Sequence, residues 1–249
     1  MKKTILITGA ASEIGQAIIR SFLEKGHRVI ATEIESEQRI LQEFFESLSS
    51  QDQSRMVFYS LNLENDEEIP KFVDSLNGTY DVTDLVNVAG INILKSFFDW
   101  TPSDLRKVTE INWIGTFLLT KAIAAQMVKR GNVGTITTIT SQHGMVANKE
   151  RVPYCVSKAG LIHLTKVLGL ELAPYGIRAN CISPTYVKTD KNHHILLSNR
   201  YIENELGKIP LERYATPSDV AEAVMFLSAK SSKMMTGHNL VLDGGWTLQ

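Results

Sequence analysis

Residues 4–15 read Thr-Ile-Leu-Ile-Thr-Gly-Ala-Ala-Ser-Glu-Ile-Gly, and this stretch decides the fold. Thr4–Thr8 is a short apolar run rich in β-branched residues, typical of a strand buried on both faces. Small residues then form a turn, and apolar residues recur at helical spacing until Gly26, which ends the helix. A second apolar run at 29–32 predicts another strand. Together these segments form one βαβ unit.

The same alternation of strand and helix continues along the rest of the chain. Further strands are predicted at residues 56–60, 84–88, 134–140, 177–182 and 239–242, and helices at 38–48, 67–76, 103–129, 153–173 and from 217 onward. Such alternation predicts an α/β fold with a parallel sheet covered by helices on both faces. No linker divides residues 1–249, which are predicted to form a single domain. The stretch 185–211 has no strand character and is predicted to be a substrate lid.

Composition and charge narrow the class of protein. The 249 residues carry a formal net charge of −1, which gives no broad electrostatic footprint for nucleic acid or an anionic membrane. The two cysteines, Cys155 and Cys181, indicate a reducing compartment rather than a disulfide framework. The apolar run at the N-terminus is too short for a secretory signal, and no run approaches the ~18 apolar residues of a membrane span. A cytoplasmic protein is predicted, with neither nucleic acid nor membrane as partner.

The turn after the first strand has features of a dinucleotide site. Gly9 and Gly15 permit close backbone approach, and the following helix presents unpaired N–H groups to a pyrophosphate. Their spacing differs from the Gly-x-Gly-x-x-Gly of the standard fingerprint, so the turn by itself is only moderately specific.

Glu33, at the end of the second strand, bears on the choice of cofactor. A carboxylate there accepts hydrogen bonds from the adenosine ribose hydroxyls and repels a 2′-phosphate. Neither Ser12 nor Ile34, its expected neighbours, supplies a cation to hold that phosphate. The sequence therefore favours NAD over NADP, the alternative being that Glu33 is only a solvated carboxylate at a strand end.

Tyr154 and Lys158 are four residues apart, so on a helix they share one face. A cation within ~4–6 Å of a phenol favours its ionised form and lowers its pKa toward the range useful for acid–base catalysis. In a chain with 7 Tyr such a pair often arises by chance, so its meaning depends on the other motifs.

Those other motifs occur in a fixed order along nearly the whole chain. They are the turn 8–15, Asn87-Val88-Ala89-Gly90, Asn112, Ser141, Tyr154 with Lys158, Ser183-Pro184 and Leu242-Asp243-Gly244-Gly245. Together they resemble the short-chain dehydrogenase/reductase family. The resemblance implies a Rossmann-type doubly wound sheet of about seven strands. It also implies a homotetramer (or homodimer) that interconverts alcohols and carbonyl compounds with a nicotinamide cofactor, here NAD.

The resemblance further implies a role for each of four catalytic residues. Tyr154 would be the general acid–base, and Lys158 would lower its pKa and bind the nicotinamide ribose. Ser141 would hydrogen-bond the reacting oxygen. Asn112 would hold a water that links Lys158 to solvent.

Binding residues are implied in the same way. Cofactor contacts are expected from Gly9, Ser12, Glu13, Ile14, Gly15, Glu33, Asn62, Leu63, Asn87, Ala89, Gly90, Tyr154, Lys158, Pro184, Val187 and Thr189. Substrate contacts are expected from Ser141, His143, Tyr154 and Tyr186, although a plain loop position is equally open for His143. No metal is expected, because His193 and His194 lack a partner at metal-ligand spacing.

Four residues depart from the family pattern, all in loops on the cofactor side. Glu13 and Thr185 replace glycines, Val88 replaces an asparagine, and Asn62 stands where an aspartate is frequent. The carboxylate of Glu13 would lie near the expected pyrophosphate, and the hypothesis is that this side chain points to solvent.

The leading interpretation is an NAD(H)-dependent alcohol dehydrogenase or carbonyl reductase. A 3-oxoacyl thioester reductase has the same architecture but typically uses NADPH, against Glu33. A non-catalytic dinucleotide-binding sensor or scaffold usually lacks the Tyr or the Lys, and both are present here. The substrate stays open among a cyclic dihydrodiol, a sugar or polyol, and another secondary alcohol.

Overall fold

A seven-stranded parallel sheet forms the centre of the protein. The structure is a computed structural model that describes residues 2–248, apart from the side chain of Arg200; the terminal residues of the predicted domain 1–249 lie outside it. The strands are β1 Thr4–Thr8, β2 Arg28–Glu33, β3 Met56–Ser60, β4 Asp84–Asn87, β5 Gly134–Ile139, β6 Ile177–Pro184 and β7 Asn239–Leu242. Their order is β3-β2-β1-β4-β5-β6-β7, and neighbouring strands are parallel throughout. The predicted fold class is confirmed.

Helices connect the strands and cover both faces of the sheet. They are α1 Glu13–Glu24, α2 Gln38–Glu46, α3 Ser50–Gln53, α4 Glu68–Leu76, α5 Pro102–Thr109, α6 Thr116–Arg130, α7 Val152–Glu171, α8 His193–Leu196, α9 Asn199–Asn204 and α10 Pro217–Ser228. The short α3 was not among the predicted helices; the Ser49 side chain caps it by accepting from the N–H of Asp52.

Alternate residues of β1 enter opposite halves of the core. Ile5 and Ile7 pack with α1, α2 and α10, whereas Leu6 packs with α4 and α6 on the other face. All three are fully buried, as the period of a strand covered on both sides requires. This packing explains why the first strand reads as a continuous apolar run.

The long helix predicted at 103–129 is interrupted by a π-helical turn. Residues Glu110–Gly115 form this turn between α5 and α6. Within the combined stretch Pro102–Arg130, an 18-residue window reaches a mean hydropathy of 1.2, which by length and composition a membrane span could have. Its side chains Leu119, Ile123 and Met127 are nevertheless fully buried against the sheet. We therefore interpret it as a core helix.

The sheet order creates a crevice at the carboxyl ends of the central strands. The connection from β1 runs to β2 on one side, and β4 lies on the other, which is the topological switch point where open α/β folds bind ligands. The segment 185–211, containing α8 and α9, follows β6 at this edge. A bridge between Val187 and Ala215 ties its beginning to the chain just before α10.

Candidate active site

A cavity of about 320 Å³ lies at the carboxyl edge of the sheet, and we call it the cleft. The predicted site residues that line it are Ser12, Ile14, Gly90, Ser141, His143, Tyr154, Lys158, Pro184, Tyr186, Val187 and Thr189. The other predicted residues do not line it and are Gly9, Glu13, Gly15, Glu33, Asn62, Leu63, Asn87, Ala89 and Asn112. The structure thus brings the predicted substrate residues and three of the four catalytic residues to one cavity.

The turn between β1 and α1 needs its glycines for packing. Ser12 caps α1: its Oγ accepts from the N–H of Gly15 at 3.1 Å and donates to the carbonyl oxygen of Gly9 at 2.7 Å. Gly9 has a φ of 65°, and a Cβ there would lie 2.7 Å from the nitrogen of Ala89. A Cβ on Gly15 would lie 2.4 Å from the oxygen of Gly9. These close approaches place the start of α1 beside the cleft.

Thr8 and Asn87 hold the neighbouring loop in place. The Thr8 hydroxyl accepts from the N–H groups of Val88 at 3.1 Å and Ala89 at 3.2 Å. The Asn87 amide lies in the core, where Nδ2 donates to the hydroxyl of Thr120 at 2.9 Å. Asn87, predicted to contact the cofactor, therefore supports the loop from behind with its side chain.

Glu33 turns its carboxylate toward the glycine-containing turn. Oε2 accepts from the N–H of Ala11 and Oε1 from the N–H of Ile34, both at 3.0 Å. Burial raises the pKa of Glu33, and these two hydrogen bonds act in the opposite direction. Each carboxylate oxygen has a further acceptor position, so the group can still receive ribose hydroxyls.

Asn62 and Leu63 lie just beyond β3 and are already engaged within the protein. The N–H of Asn62 donates to Oε1 of Glu68 at 3.2 Å, and Oδ1 of Asn62 accepts from the N–H of Glu64 at 3.0 Å. Leu63 is buried and packs in the core on the α4 and α6 side of the sheet. Of the two, Asn62 is the exposed residue, so its side chain stays a predicted cofactor contact.

Glu13 differs from the hypothesis that it points to solvent. Its Oε1 accepts a hydrogen bond from the N–H of Asp190 at 2.7 Å, across the opening between the turn and the segment 185–211. An ion pair of 3.4 Å between Lys191 and Glu37 lies beside it. The carboxylate therefore fastens the start of the predicted lid to the turn.

Lys158 is a buried ammonium beside the Tyr154 ring. Both residues lie on α7, and Nζ of Lys158 is 5.7 Å from the ring centroid of Tyr154. Nζ donates to the carbonyl oxygen of Ile139 at 2.9 Å, and burial lowers the pKa of Lys158 to about 8. A Cβ at Gly90 would lie 3.4 Å from this nitrogen, so glycine keeps the space next to it open.

The sequence predicted that Lys158 lowers the pKa of Tyr154, and the structure differs from this expectation in both direction and cause. Burial raises the pKa of Tyr154 above its usual value. The Ser141 hydroxyl and the Arg151 charge lower that pKa but do not outweigh burial, and Lys158 is not among the groups that lower it. The phenol is therefore protonated at neutral pH, ready to give a proton.

Asn112 organises the site from within the π-helical turn, as such turns often do. Its Oδ1 accepts from the N–H of Ile91 at 2.8 Å, and its Nδ2 donates to the oxygen of Ile91 at 2.9 Å and to Ser157 at 3.1 Å. Ser157 in turn donates to the carbonyl oxygen of Tyr154 at 2.8 Å. One acceptor position of Oδ1 remains for the predicted water.

His143 belongs to an aromatic wall on the substrate side of the cleft. Its ring lies edge-on to Tyr186 at 5.6 Å and to Trp246 at 5.9 Å between centroids. Burial, with the charges of Arg151 and Lys208, lowers the pKa of His143 to about 4. The imidazole is therefore neutral at physiological pH and lines the cleft, and its contact with a substrate stays a prediction.

Several polar residues of the cleft were missed from the sequence. They are Asn92, Thr140, Gln142, Arg151 and Asn192; Thr185, named above only as a departure from the family pattern, also lines the cleft. Arg151 is the N-cap of α7 and lies before the predicted helix 153–173, so helical spacing gave no signal for it. The others come from loops whose approach depends on the tertiary fold.

Comparison with known proteins agrees with this geometry. A family model described as "Enoyl-(Acyl carrier protein) reductase" matches residues 9–247. A relative named NAD-dependent glycerol dehydrogenase, from Listeria innocua, is 32% identical over 99% of this chain and 94% of its own. The structure of a short chain dehydrogenase from Leptospira borgpetersenii with bound NAD+ matches with a TM-score of 0.88 and 33% identity, covering 99% of this chain and 93% of its own. The protein is a short-chain dehydrogenase/reductase.

Membership in this family supports assignment to the oxidoreductases and the binding of a nicotinamide dinucleotide. A 3-oxoacyl-[acyl-carrier-protein] reductase from Thermotoga maritima is 33% identical over 98% of this chain and 97% of its own. Some structures of similar fold are described with NADP, so the family does not by itself decide between the two dinucleotides.

The residues of this short-chain dehydrogenase fit such a cofactor. The capped start of α1 adjoins the cleft at Ser12 and Ile14, Gly90 leaves space beside Lys158, and Glu33 keeps free acceptor positions. Within residues 2–248, no group of three His, Cys, Asp or Glu that could hold a metal ion is found.

Proposed function

We propose that the protein is an NAD(H)-dependent oxidoreductase that interconverts a secondary alcohol and a ketone, with Tyr154 as general acid–base. The observation that carries the proposal is the meeting of three groups in one cleft: the Tyr154 phenol, the Ser141 hydroxyl and the buried ammonium of Lys158. A purely structural site would have no reason to bury an ammonium beside a phenol.

Each side chain then has a distinct task. In reduction, Tyr154 donates its proton to the carbonyl oxygen of the substrate, and in oxidation it takes the proton of the alcohol. The Ser141 hydroxyl donates a hydrogen bond to the same oxygen while charge develops on it. Lys158, held by Ile139, presents a cation beside the phenol. The cofactor, when bound, supplies or accepts the hydride.

The preference for NAD is supported by Glu33. Its carboxylate stands at the end of β2 and is fixed by the N–H of Ala11. A 2′-phosphate placed there would meet a negative charge, whereas two ribose hydroxyls would meet acceptors. The relative from Listeria innocua is named as NAD-dependent, which agrees with this argument.

Reduction of a 3-oxoacyl thioester is the second candidate, since a relative from Thermotoga maritima carries that name. Comparing NADH with NADPH, and a thioester with a simple ketone, separates the two candidates. Higher turnover of the thioester with NADPH would favour the second.

The primary test replaces Tyr154 by Phe and follows NADH oxidation with a panel of ketones. The variant is expected to lose about a hundredfold or more of kcat. Its affinity for NADH, measured by fluorescence titration, should stay within about threefold. Tyr175→Phe is the matched control, because that ring is on the surface, 54% exposed. Intact turnover in Tyr154→Phe would contradict the assignment of Tyr154, whereas a native protein that binds NADH but turns over no ketone would favour the sensor or scaffold.

A homotetramer in the cytoplasm remains part of the proposal. Large apolar side chains on α5 and α7 are directed outward, with Leu105 50%, Val156 66% and Leu170 78% exposed. A second copy packed on these helices would remove them from water. Analytical ultracentrifugation checks this, and a monomer at micromolar concentration would contradict it.

A further inference from the structure

Arg151 is a buried cation whose charge has no partner within the described chain. It is the N-cap residue of α7, only 8% of it is exposed, and it lines the cleft beside Tyr154. No carboxylate of residues 2–248 lies within ion-pairing distance of its guanidinium, and its buried Nε has no hydrogen-bond partner there. The centroid of the Tyr186 ring lies 6.0 Å from the guanidinium carbon, at the limit of a cation–π contact.

Such an arrangement is costly unless a ligand completes it. An arginine keeps its charge, and burying a charge without a partner is strongly unfavourable. Buried arginines in proteins are therefore paired with carboxylates or other anions. The missing partner of Arg151 is consequently expected to arrive with a ligand.

The backbone before Arg151 provides an independent observation. Glu150 has a φ of 65°, a left-handed conformation that L-residues with side chains rarely adopt. Local strain of this kind persists where the surrounding structure enforces it, and it is concentrated at ligand sites. Here the strained residue immediately precedes the buried guanidinium and the first turn of α7.

Charges on the surrounding elements do not neutralise Arg151. A second cavity of about 730 Å³ adjoins the cleft, and Arg151 lines both of them. The charged residues of this second cavity are Lys149, Glu150, Arg151, Glu205 and Lys208. The carboxylate of Glu205 lies 3.8 Å from the ammonium of Lys208 and is thus balanced by it.

Other buried polar groups of the cleft that Arg151 lines also lack hydrogen-bond partners within residues 2–248. Both amide atoms of Gln142, Nδ1 of His143 and Oγ1 of Thr185 are buried without a partner among the described residues, and all three residues line the cleft. Buried polar groups are normally satisfied, so this concentration indicates a ligand with several hydroxyl or carboxyl oxygens.

We propose that Arg151 binds a carboxylate of the substrate, so that the enzyme acts on a hydroxy acid and its keto acid. The inference depends on the proposed function and adds the substrate class to it. Arg151 at the N-cap of α7 and Tyr154 in its first turn both line the cleft, so the carboxylate and the reacting carbon would share one small cavity. In oxidation the carbinol carbon loses a hydride to NAD+, Tyr154 takes the hydroxyl proton, and the carboxylate is unchanged.

Three matched pairs of compounds test the substrate class: glycerate with glycerol, threonate with threitol, and gluconate with glucitol. Within each pair the chain length is equal and only the acid carries the carboxylate. Oxidation is followed by NADH formation, and binding to the NADH-loaded enzyme is measured by calorimetry. The native enzyme is expected to prefer at least one acid over its alditol by about tenfold or more.

Variants of Arg151 then test the residue itself. In Arg151→Met the acid-to-alditol ratio of kcat/KM is expected to fall by about thirtyfold or more, since the anion loses its buried partner. Arg151→Lys should retain part of the ratio, because it restores charge without the bidentate geometry. Lys149→Met, an exposed cation of the same cavity, is the control and should leave the ratio within about threefold.

The outcomes separate this inference from the proposed function. Turnover of alditols in preference to every acid would overturn the role of Arg151 and leave the alcohol oxidation intact. An unchanged acid-to-alditol ratio of kcat/KM in Arg151→Met would also overturn the role of Arg151 and leave the alcohol oxidation intact. If no compound is turned over but the acids bind in calorimetry and Arg151→Met abolishes that binding, the Arg151 site stands and the proposed reaction is wrong. Absence of both turnover and acid binding contradicts the inference.

Discussion

The half of the cleft proposed to hold the dinucleotide and the half proposed to hold the substrate differ in how their polar groups are satisfied. On the dinucleotide side, Ser12, Thr8 and Glu33 make their hydrogen bonds to the backbone of neighbouring loops. On the substrate side, Gln142 and Arg151 keep buried polar atoms without partners in the described chain. We infer that the first half is shaped in advance by its own hydrogen bonds, whereas the second half is completed by what it binds.

The largest expected effect concerns the boundary between these halves, at Ser141. Ser141→Ala should lower kcat by about a hundredfold, because the donor to the developing oxyanion is lost. Steady-state NADH oxidation measures kcat, and the affinity for NADH should stay within about threefold. Ser75→Ala, on the exposed face of α4, is the control. A loss smaller than about tenfold would mean that Ser141 only shapes the loop.

The pH dependence of the two reaction directions should sharpen the role of Tyr154. Burial holds the pKa of Tyr154 above its usual value, so the phenol is protonated at neutral pH. Reduction needs that proton and should proceed at neutral pH. Oxidation needs the phenolate, and its kcat/KM should rise about tenfold per pH unit below the pKa. A flat profile for oxidation between pH 7 and 9 would contradict Tyr154 as the base.

A smaller effect is expected at Glu33, within the pre-shaped half. Glu33→Ala should weaken NAD+ binding about tenfold and bring the affinities for NAD+ and NADP+ closer, since an acceptor and a repulsive charge are both removed. Titration with each dinucleotide measures this. Glu35→Ala, exposed nearby, serves as control. An unchanged ratio of the two affinities would show that the carboxylate does not choose the cofactor.

The smallest effect is expected at Glu13, where the pre-shaped half meets the lid. Glu13→Ala should change NADH affinity by less than about tenfold, or 1.4 kcal/mol, because only one hydrogen bond to Asp190 is lost. The amide of Asp190 should exchange its hydrogen faster in this variant, whereas Glu13→Gln keeps an acceptor and should protect it. A much larger gain in affinity would mean that the carboxylate faces the pyrophosphate.

Local patterns were sufficient for much of the architecture and for the grouping of three predicted catalytic residues. Every predicted strand is present, and its observed bounds differ from the predicted ones by at most two residues. The reason is that a strand buried on both faces has a continuous apolar sequence bounded by turn residues. Ser141 lies just after β5, and Tyr154 and Lys158 lie in the first two turns of α7, the next helix along the chain, so all three meet in the cleft. Sequence order was enough to bring them together.

Contacts between distant segments could not be derived in this way. Three features depend on how loops approach one another. They are the hydrogen bond between Glu13 and Asp190, the position of the Asn87 amide in the core, and the burial of the Arg151 guanidinium. The acidity of Tyr154 belongs to the same group, since the sequence placed a cation beside the phenol, and burial reversed the expected direction of the pKa.

The sequence by itself determined the order of strands and helices, the glycine-containing turn and the spacing of Tyr154 and Lys158, because these follow from periodicity and from residue type. The tertiary structure decided which polar groups are buried, which of these have hydrogen-bond partners within the protein, and which have none until a ligand binds. The physical reason is that desolvation and hydrogen bonding are properties of the packed environment, and residues far apart in the chain supply that environment.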